Sequence, residues 1–352
     1  MEAREANNAR MSVLEGALLE QYQRGLAVVE RPFAAVAERL GSTEGKVIAA
    51  LDNLKQAGII SRVGPVFRPH RIGRSTLAAM AVPAARIDEV AAVVSSFTEV
   101  NHNYEREHVF NLWFVATAMD ETHLASVLQA IETCTGIPVI SLPMLESYHI
   151  DLGFSLYQGQ GSTPRDPRVV QGAGPVPCPT SIRDPRDQRL ISMIQTGLPL
   201  VSRPYATVAQ LADLPESQVL RRIGEWVVDG TIGRLGIVVR HRELGYRANG
   251  MVVWDVPDHL VSVLGARLSR YDCVTLCYRR RRSPPHWNYN LFCMIHGRSR
   301  AAVEAHVQTL AEECGLRNLP CALLFSTRRF KQRGAHYVTQ APTSREAIAS
   351  GG

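Results

Sequence analysis

The chain has 352 residues, 45% of them hydrophobic, and a formal net charge of +6 at pH 7. This length predicts two or more domains, and no apolar run approaches the twenty residues that a membrane-spanning helix needs. The N-terminal residues lack the apolar core of a signal peptide, so we expect a cytoplasmic protein whose seven cysteines are free thiols. The positive charge indicates an acidic partner, either nucleic acid or a small molecule with several carboxylates.

An internal repeat organises the chain. The sequence GLAVVERPFA at 25–34 matches GLPLVSRPYA at 197–206, and GIISRVG at 58–64 matches GTIGRLG at 230–236. The offset is 172 residues in both cases (197 − 25 and 230 − 58). These matches predict two copies of one unit of roughly 150 residues, called unit 1 and unit 2 below.

Each unit begins with three helical patterns and a short β-wing. In unit 1, Leu14 to Tyr22 form one apolar helix face, and Pro32–Leu40 has proline in its first turn. A third helix, Thr43–Ala57, ends at Gly58, and residues 59–67 form the wing. This order predicts a winged helix-turn-helix.

A strand, helix, hairpin, helix, strand order follows in each unit, and it is typical of a ferredoxin-like βαββαβ domain. The predicted elements of unit 1 are Thr76–Val82, Ile87–Phe97, the hairpin Val100–Ala118, Glu121–Cys134 and Val139–Tyr148. Those of unit 2 are Gly250–Val256, His259–Leu268, the hairpin Val274–Ile295, Ala301–Cys314 and Ala322–Thr327.

The predicted fold is therefore α+β, with two repeats of a winged helix-turn-helix followed by a ferredoxin-like domain. The predicted boundaries are 1–74 and 75–156 for the two domains of unit 1, and 185–246 and 247–334 for those of unit 2. Residues 157–184 are rich in glycine and proline and predict a linker, while residues 335–352 predict a flexible tail.

The two hairpins carry the unusual polar residues. Val100, His102, Tyr104 and Arg106 alternate at the period of a strand, so we expect them on one face. Val274, Leu276, Tyr278 and Arg280 match them position for position in unit 2. Histidine, tyrosine and arginine in such a row favour the binding of a large polyanionic ligand over a structural core.

The domain order resembles the Lrp/AsnC family of regulators, and local motifs narrow the resemblance. HNYER at 102–106, NLWF at 111–114, CYRRRR at 277–282, NLFCMIHG at 290–297 and STRRFKQR at 326–333 resemble the siroheme decarboxylases of the fused NirD–NirL type. This resemblance covers both units. It implies removal of two acetate carboxyls of siroheme as CO2, giving 12,18-didecarboxysiroheme in heme d1 biosynthesis for denitrification. It also implies no cofactor beyond the iron-tetrapyrrole substrate, and other heme d1 biosynthesis proteins as partners.

Decarboxylation of a ring acetate requires a proton donor and groups that hold the remaining carboxylates. His102, Tyr104 and His286 are the candidate catalytic residues, and a histidine is alternatively a ligand of the substrate iron or a structural residue. Arginine grips carboxylates bidentately and aromatic rings pack on a macrocycle. The candidate substrate-binding residues are Arg106, Trp113, His149, Tyr278, Arg280, Trp287, His296, Arg328, Arg329, Lys331 and Arg333.

Two other functional classes compete with the enzyme hypothesis. A DNA-binding regulator needs an excess of Lys and Arg on its recognition helices, but Thr43–Ala57 has net charge zero and Pro215–Gly230 has −1. These charges argue against DNA. A carrier would bind the tetrapyrrole without changing it. We expect the two ferredoxin-like domains to pair internally as a pseudo-dimer with siroheme between their hairpins, and homodimerisation of the fused chain stays open.

Overall fold

The computed structural model describes residues 11–68, 71–150, 174–175, 184–240, 248–335 and 337. Nearly all of the predicted linker and most of the predicted tail lie outside these residues. The helices are α1 (Val13–Gln21), α2 (Pro32–Arg39), α3 (Glu44–Gln56), α4 (Ile87–Ser96), α5 (Glu121–Thr135), α6 (Pro185–Ile194), α7 (Pro204–Ala212), α8 (Glu216–Val228), α9 (Val261–Leu268) and α10 (Arg300–Glu313). The strands are β1 (Ile60–Phe67), β2 (Arg74–Met80), β3 (Val100–Arg106), β4 (Leu112–Ala118), β5 (Val139–Ile150), β6 (Gly174–Pro175), β7 (Ile232–Val239), β8 (Ala248–Trp254), β9 (Val274–Arg280), β10 (Leu291–Gly297) and β11 (Cys321–Gln332).

Local signals place the helix ends of each helix-turn-helix. Pro32 and Pro204 stand in the first turns of α2 and α7, where a missing backbone N–H costs nothing. The hydroxyl of Thr43 accepts a hydrogen bond from the Lys46 amide and caps α3. Gly58, just after α3, has φ +73°, a conformation that side chains disfavour, and it turns the chain into β1.

The wings of the two units pair with each other. The sequence predicted a wing within each unit, but residues 60–67 form one continuous strand, β1, which runs antiparallel to β7 of unit 2. A single apolar core then joins both helix-turn-helix domains, from Phe33 and Leu51 of unit 1 to Tyr205 and Trp226 of unit 2. The two helix-turn-helix domains therefore form one packed body.

Eight strands of the two ferredoxin-like domains form a closed barrel. Their order is β2-β4-β3-β11-β8-β10-β9-β5, and a pairing of β5 with β2 closes the ring. The last strand of each unit continues past its own sheet onto the hairpin of the other unit, so β11 pairs with β3 and β5 pairs with β9. The α+β fold of two repeats is confirmed, and the predicted internal pairing takes the form of this barrel.

A β-bulge at the start of each hairpin changes which side chains share a strand face. Val100 pairs with Ala116 and packs in the core beneath α4 and α5, whereas His102 pairs with Val115, one residue out of step. Val274 of unit 2 likewise packs toward the helices. The expectation of four residues on one face was wrong for the two valines, because an extra residue reverses the side-chain alternation.

The helices cover the outside of the barrel, and apolar residues fill part of its interior. Phe114 and Val100 pack against α4 and α5, and Val252 and Cys293 lie in the core shared with α9 and α10. Trp113 and Phe292 lie in a separate cluster with residues of both units. No helix within the described parts of the chain is long and apolar enough to cross a membrane.

The end of the chain returns to the helix-turn-helix pair. Tyr337 is buried in the shared core, its ring lies 5.9 Å from that of Phe67, and its amide donates to Gln195 Oε1 at 2.9 Å. Residues 335 and 337, which open the predicted flexible tail, are therefore packed against folded domains. Residues 338–352 lie outside the described residues.

Candidate active site

Equivalent tyrosines of the two hairpins face the barrel interior. Tyr104 lies opposite Trp113 and Tyr278 lies opposite Phe292, and side chains directly opposite in an antiparallel pair share a face. Both tyrosines are half-buried, whereas Trp113 and Phe292 are almost fully buried. Burial raises the pKa of Tyr278, so its phenol stays neutral and can donate a hydrogen bond.

His102 stands beside Tyr104 on the same interior face. Their rings are stacked, with centroids 6.2 Å apart and planes 16° apart. Burial, together with the positive charge of Arg62, lowers the pKa of His102 to about 4. The imidazole is therefore neutral at pH 7 in the unliganded protein. Leu276 holds the equivalent place in unit 2, so the two halves of the barrel are chemically unlike.

An arginine follows each interior tyrosine and crosses to the other unit. Arg106 donates from Nη1 to the carbonyl of Leu324 at 2.9 Å, and Arg280 donates from Nη1 to the carbonyl of Leu142 at 2.8 Å. The Arg280 guanidinium lies 5.0 Å from the centre of the Tyr278 ring. Burial lowers the pKa of Arg280 to about 10, so the buried guanidinium still carries its charge at pH 7.

Trp287 joins the aromatic residues of both units inside the barrel. Its ring centroid lies 4.9 Å from that of Trp113, 5.0 Å from Tyr289 and 5.4 Å from His108. Trp113 donates from Nε1 to the carbonyl of Phe110 at 2.7 Å, whereas Nε1 of Trp287 is buried and has no hydrogen-bond partner in the part of the chain that the structure describes. The long turn of unit 2 thus places an indole in the inter-unit core.

The basic residues of β11 divide between the two faces of the sheet. Arg329 is exposed and lies opposite Tyr104, and it donates to Gln332, which lies opposite His102. Arg328 instead pairs with Asp88 and Glu105. Lys331 donates to the carbonyls of residues 95 and 97 at the end of α4, and Arg333 donates to the carbonyl of Thr98. Of these four candidates, Arg329 shares the face of His102 and Tyr104.

The remaining histidine candidates are dispersed. His296 is buried, and its Nδ1 is 2.9 Å from the hydroxyl of Thr275. His149 is buried in β5 opposite Cys277. His286 is exposed in the turn between β9 and β10. The structure therefore brings His102, Tyr104 and Arg329 to one face and places His286 at the surface.

Arg62 in β1 was not among the candidates from the sequence. Its guanidinium reaches Pro65 O at 3.2 Å and lies against Gly334, beside the buried ring of Tyr337. Burial lowers the pKa of Arg62, and this charge in turn lowers that of His102. The repeat could have pointed to Arg62, because it matches Arg234 at the offset of 172 (234 − 62). The wing thus contributes to the electrostatics of the barrel site.

The recognition helices carry acidic residues at the ends that would approach DNA. Glu44 begins α3 and pairs with Arg31, and Glu216 begins α8 and pairs with Arg203. An N-terminal carboxylate already paired with arginine is poorly suited to meet phosphates. Within the described residues, no cluster of three or more His, Cys, Asp or Glu is placed to hold a metal ion.

Comparisons with known proteins agree with this arrangement. A model described as the siroheme decarboxylase NirDL-like HTH domain matches residues 15–60 and 187–232, and one described as an AsnC-like ligand binding domain matches 71–149 and 243–331. The siroheme decarboxylase NirDL subunit of Paracoccus denitrificans (strain Pd 1222) is 44% identical over 328 residues, which cover 92% of this chain and 97% of that protein. The chain belongs to the siroheme decarboxylase NirDL family.

Two further comparisons concern a ligand-bound crystal structure and a separate subunit. A crystal structure of the siroheme decarboxylase NirDL in complex with an iron-uroporphyrin III analogue has a TM-score of 0.66 and 27% identity, covering 92% of this chain and 93% of that one. The siroheme decarboxylase NirD subunit of Stutzerimonas stutzeri is 49% identical over 146 residues, which cover 42% of this chain and 96% of that subunit. One unit of the fused chain therefore corresponds to a separate polypeptide in that organism.

Proposed function

We propose that the protein is a siroheme decarboxylase that removes two acetate carboxyl groups of siroheme as CO2 and yields 12,18-didecarboxysiroheme in heme d1 biosynthesis. The observation that carries the proposal is the interior face on which His102 and Tyr104 of unit 1 lie opposite Gln332 and Arg329 of unit 2. Membership of the siroheme decarboxylase NirDL family supports it. A relative that binds an iron-uroporphyrin analogue supports a tetrapyrrole as ligand.

The substrate would lie between the two ferredoxin-like domains. Arg329 is exposed and donates to the neutral amide oxygen of Gln332 at 3.0 Å, and no carboxylate of the described residues pairs with it, so its charge is available to a carboxylate of the substrate. Arg280 is buried without a carboxylate partner among the described residues, and it offers a second cationic site. Tyr104 and Tyr278 present aromatic faces and phenols to the same interior. Arg106, Trp113 and Trp287 shape its wall.

The reaction converts R–CH2–COO⁻ and H⁺ into R–CH3 and CO2. The bond between the methylene carbon and the carboxyl carbon breaks, and the electron pair left on the methylene carbon takes up the proton. The conjugated macrocycle of the substrate stabilises that electron pair, so the protein needs to supply only binding and a proton. General acid catalysis of such a step is typically worth about 10²–10⁴-fold.

His102 is the proposed proton donor, with Tyr104 stacked beside it. A pKa of about 4 makes the free imidazole neutral, but substrate carboxylates next to it would raise its pKa and favour protonation. A neutral imidazole is alternatively suited to bind the substrate iron. His286, His149 and His296 remain candidates for a second proton transfer or for contacts with the propionates. The proposed setting is the cytoplasm, with other heme d1 biosynthesis proteins as partners.

Anaerobic incubation of the purified protein with siroheme, followed by mass spectrometry of the extracted tetrapyrrole, tests the proposal. We expect loss of one and then two CO2 with the wild-type protein. His102→Ala should still bind siroheme but lose most of this activity, whereas His286→Ala tests a surface histidine in the same assay. Tight binding with unchanged mass would favour a carrier, and salt-dependent binding of a promoter fragment would favour a regulator.

A further inference from the structure

Two equivalent strand junctions hold the units together in the barrel. Arg106 donates to Leu324 at one junction, and Arg280 donates to Leu142 at the other. Equivalent residues of the two junctions therefore differ in number by 174 in the hairpins (280 − 106) and by 182 in the last strands (324 − 142). The same offsets relate Glu105 to Arg279 (279 − 105) and Glu146 to Arg328 (328 − 146). The first junction is β3 with β11, and the second is β9 with β5.

The two junctions carry the same ion pair with its polarity reversed. At the first, Arg328 Nε of unit 2 lies 2.5 Å from Glu105 Oε2 of unit 1. At the second, Arg279 Nη1 of unit 2 lies 2.8 Å from Glu146 Oε1 of unit 1. Each pair joins residues opposite each other in the strand register. Unit 1 therefore supplies both acids, and unit 2 supplies both bases.

The neighbouring helices follow the same reversal. Asp88 at the start of α4 pairs with Arg328, with Oδ1 2.6 Å from Nη1. The equivalent residue in α9 is Ser262 (262 − 88 = 174), and its hydroxyl donates to Glu146 at 2.7 Å. The helix of unit 1 thus offers a carboxylate to an arginine of unit 2, and the helix of unit 2 offers a neutral hydroxyl to a carboxylate of unit 1.

We propose that these reversed charge pairs select the unlike unit as the partner and exclude a second copy of the same unit. If unit 1 paired with another unit 1, Glu146 would lie against Glu105 and Asp88 of the other copy. If unit 2 paired with another unit 2, Arg328 would lie against Arg279. Like charges placed opposite each other across a strand pair are destabilising, and interfaces use such juxtapositions to reject wrong partners.

Some of the other inter-unit contacts are nearly symmetric and therefore discriminate poorly between the two units. Tyr104 and Tyr278 occupy equivalent places, and Arg106 and Arg280 make the same bond. Backbone pairing of a last strand with a hairpin is also available to either unit. Glu105, Arg279 and Glu146 are each mostly shielded from solvent, with side-chain exposures of 23%, 22% and 19%, so water screens these charges incompletely. The charged positions therefore contribute to the selection of the unlike unit.

A charge-reversal variant of the full chain tests the proposal. In Glu146→Arg/Arg328→Glu, both junctions within one chain bring together like charges, whereas pairing between like units of two chains becomes complementary. We expect a species of at least twice the wild-type mass in size-exclusion chromatography with light scattering. Raising the salt concentration should shift this variant back toward the wild-type mass, because the selection is electrostatic.

A full exchange variant is the matched control. It adds Glu105→Arg, Arg279→Glu, Asp88→Ser and Ser262→Asp. Because Asp258 pairs with Arg279 at 3.0 Å, it also carries Asp258→Ala and, at the equivalent position of unit 1, Ala84→Asp (258 − 84 = 174), so that pairing within one chain is complementary again. We expect the wild-type mass and a thermal midpoint close to wild type. An aggregated first variant with a well-behaved exchange variant would also support the proposal. Wild-type mass and stability in the first variant, or an exchange variant as defective as the first, would overturn it.

Discussion

Arg280 donates a hydrogen bond from Nη1 to the carbonyl of Leu142 at 2.8 Å, which ties the hairpin of unit 2 to the last strand of unit 1. The guanidinium is buried against the rings of Tyr278 and Phe292, at 5.0 and 5.7 Å from their centroids. No carboxylate among the described residues pairs with it, and its Nε has no hydrogen-bond partner. A buried charge without a counter-ion is costly to stability, and this cost supports the proposal that Arg280 binds a carboxylate of the substrate.

We therefore expect Arg280→Met to lose siroheme binding while retaining stability. Removing the cation forfeits one hydrogen bond but also removes the desolvation cost, so the free energy of unfolding should fall by less than about 1 kcal/mol or should rise. Urea unfolding and spectroscopic titration with siroheme measure the two effects. A loss of several kcal/mol with unchanged affinity would assign Arg280 a purely structural role.

The low pKa of His102 predicts a pH-dependent stability. The pKa is about 4 in the folded protein and about 6.5 for an unperturbed histidine, so between these values the unfolded chain binds the additional proton. The free energy of unfolding should therefore rise by up to about 3 kcal/mol as the pH increases from 4 to 6.5. His102→Gln should remove this contribution, and exposed His259→Gln should leave it in place. Equal pH dependence in both variants would contradict the placement of His102.

Arg62 should influence His102 from the wing. Its positive charge contributes to the lowered pKa of His102, so Arg62→Met should move that pKa back toward 6.5. The matched control is Arg234→Met, at the equivalent position of unit 2, where Leu276 replaces the histidine. NMR titration of the His102 ring measures the shift. An unchanged pKa of His102 in Arg62→Met would contradict an electrostatic effect of the wing on the barrel site.

Much of this architecture follows from local sequence. Pro32 and Gly58 mark helix ends through their own backbone preferences, and the repeat doubles the evidence for every element. The crossing of β11 onto unit 1 was not predictable, since Arg328 and Glu105 are 223 residues apart and the charged sequence 328–333 does not resemble a buried strand. The strand was accordingly predicted to end at Thr327, whereas it continues to Gln332.

The candidate site was likewise predictable from the sequence only in part. Tyr104 and Tyr278 were singled out from their alternation, and their place on the interior face agrees with it. The bulge that turns Val100 toward the helices depends on pairing with β4 and has no signal in the alternation itself. Arg328 and Arg329 are adjacent bases, so they point to opposite faces of the strand. Which of them shares the face of Tyr104 depends on the register of β11 with β3, and that register shifts between Ser326 and Arg328.

Gly265 provides a test of the contact between β5 and α9. A Cβ at this position would lie 2.1 Å from Tyr148 Cε2 and 2.2 Å from Cδ2, so the ring of unit 1 packs directly on the helix backbone of unit 2. We expect Gly265→Ala to destabilise the protein by about 1–3 kcal/mol through overpacking. Gly224→Ala, in α8 with nothing within 4 Å of its added Cβ, should stabilise by up to about 1 kcal/mol. Urea unfolding that gave both variants the same sign would contradict this packing.

Variants of the adjacent residues Arg329 and Arg328 distinguish an effect on substrate binding from an effect on the pairing of the units. Arg329 is exposed beside Tyr104 and pairs with no carboxylate of the described residues, so Arg329→Gln should leave stability unchanged. Loss of one charge-assisted bond to a substrate carboxylate, worth about 1.5–3 kcal/mol, should weaken siroheme binding roughly 10–100-fold. Arg328→Gln should instead lower the thermal midpoint, because Asp88 and Glu105 lose their partner. Arg317→Gln, at an exposed arginine beyond α10, controls for the loss of one positive charge. Equal affinities for Arg329→Gln and Arg317→Gln would place the substrate away from the β3–β11 face and leave the interior at Tyr278 and Arg280 as the site to test.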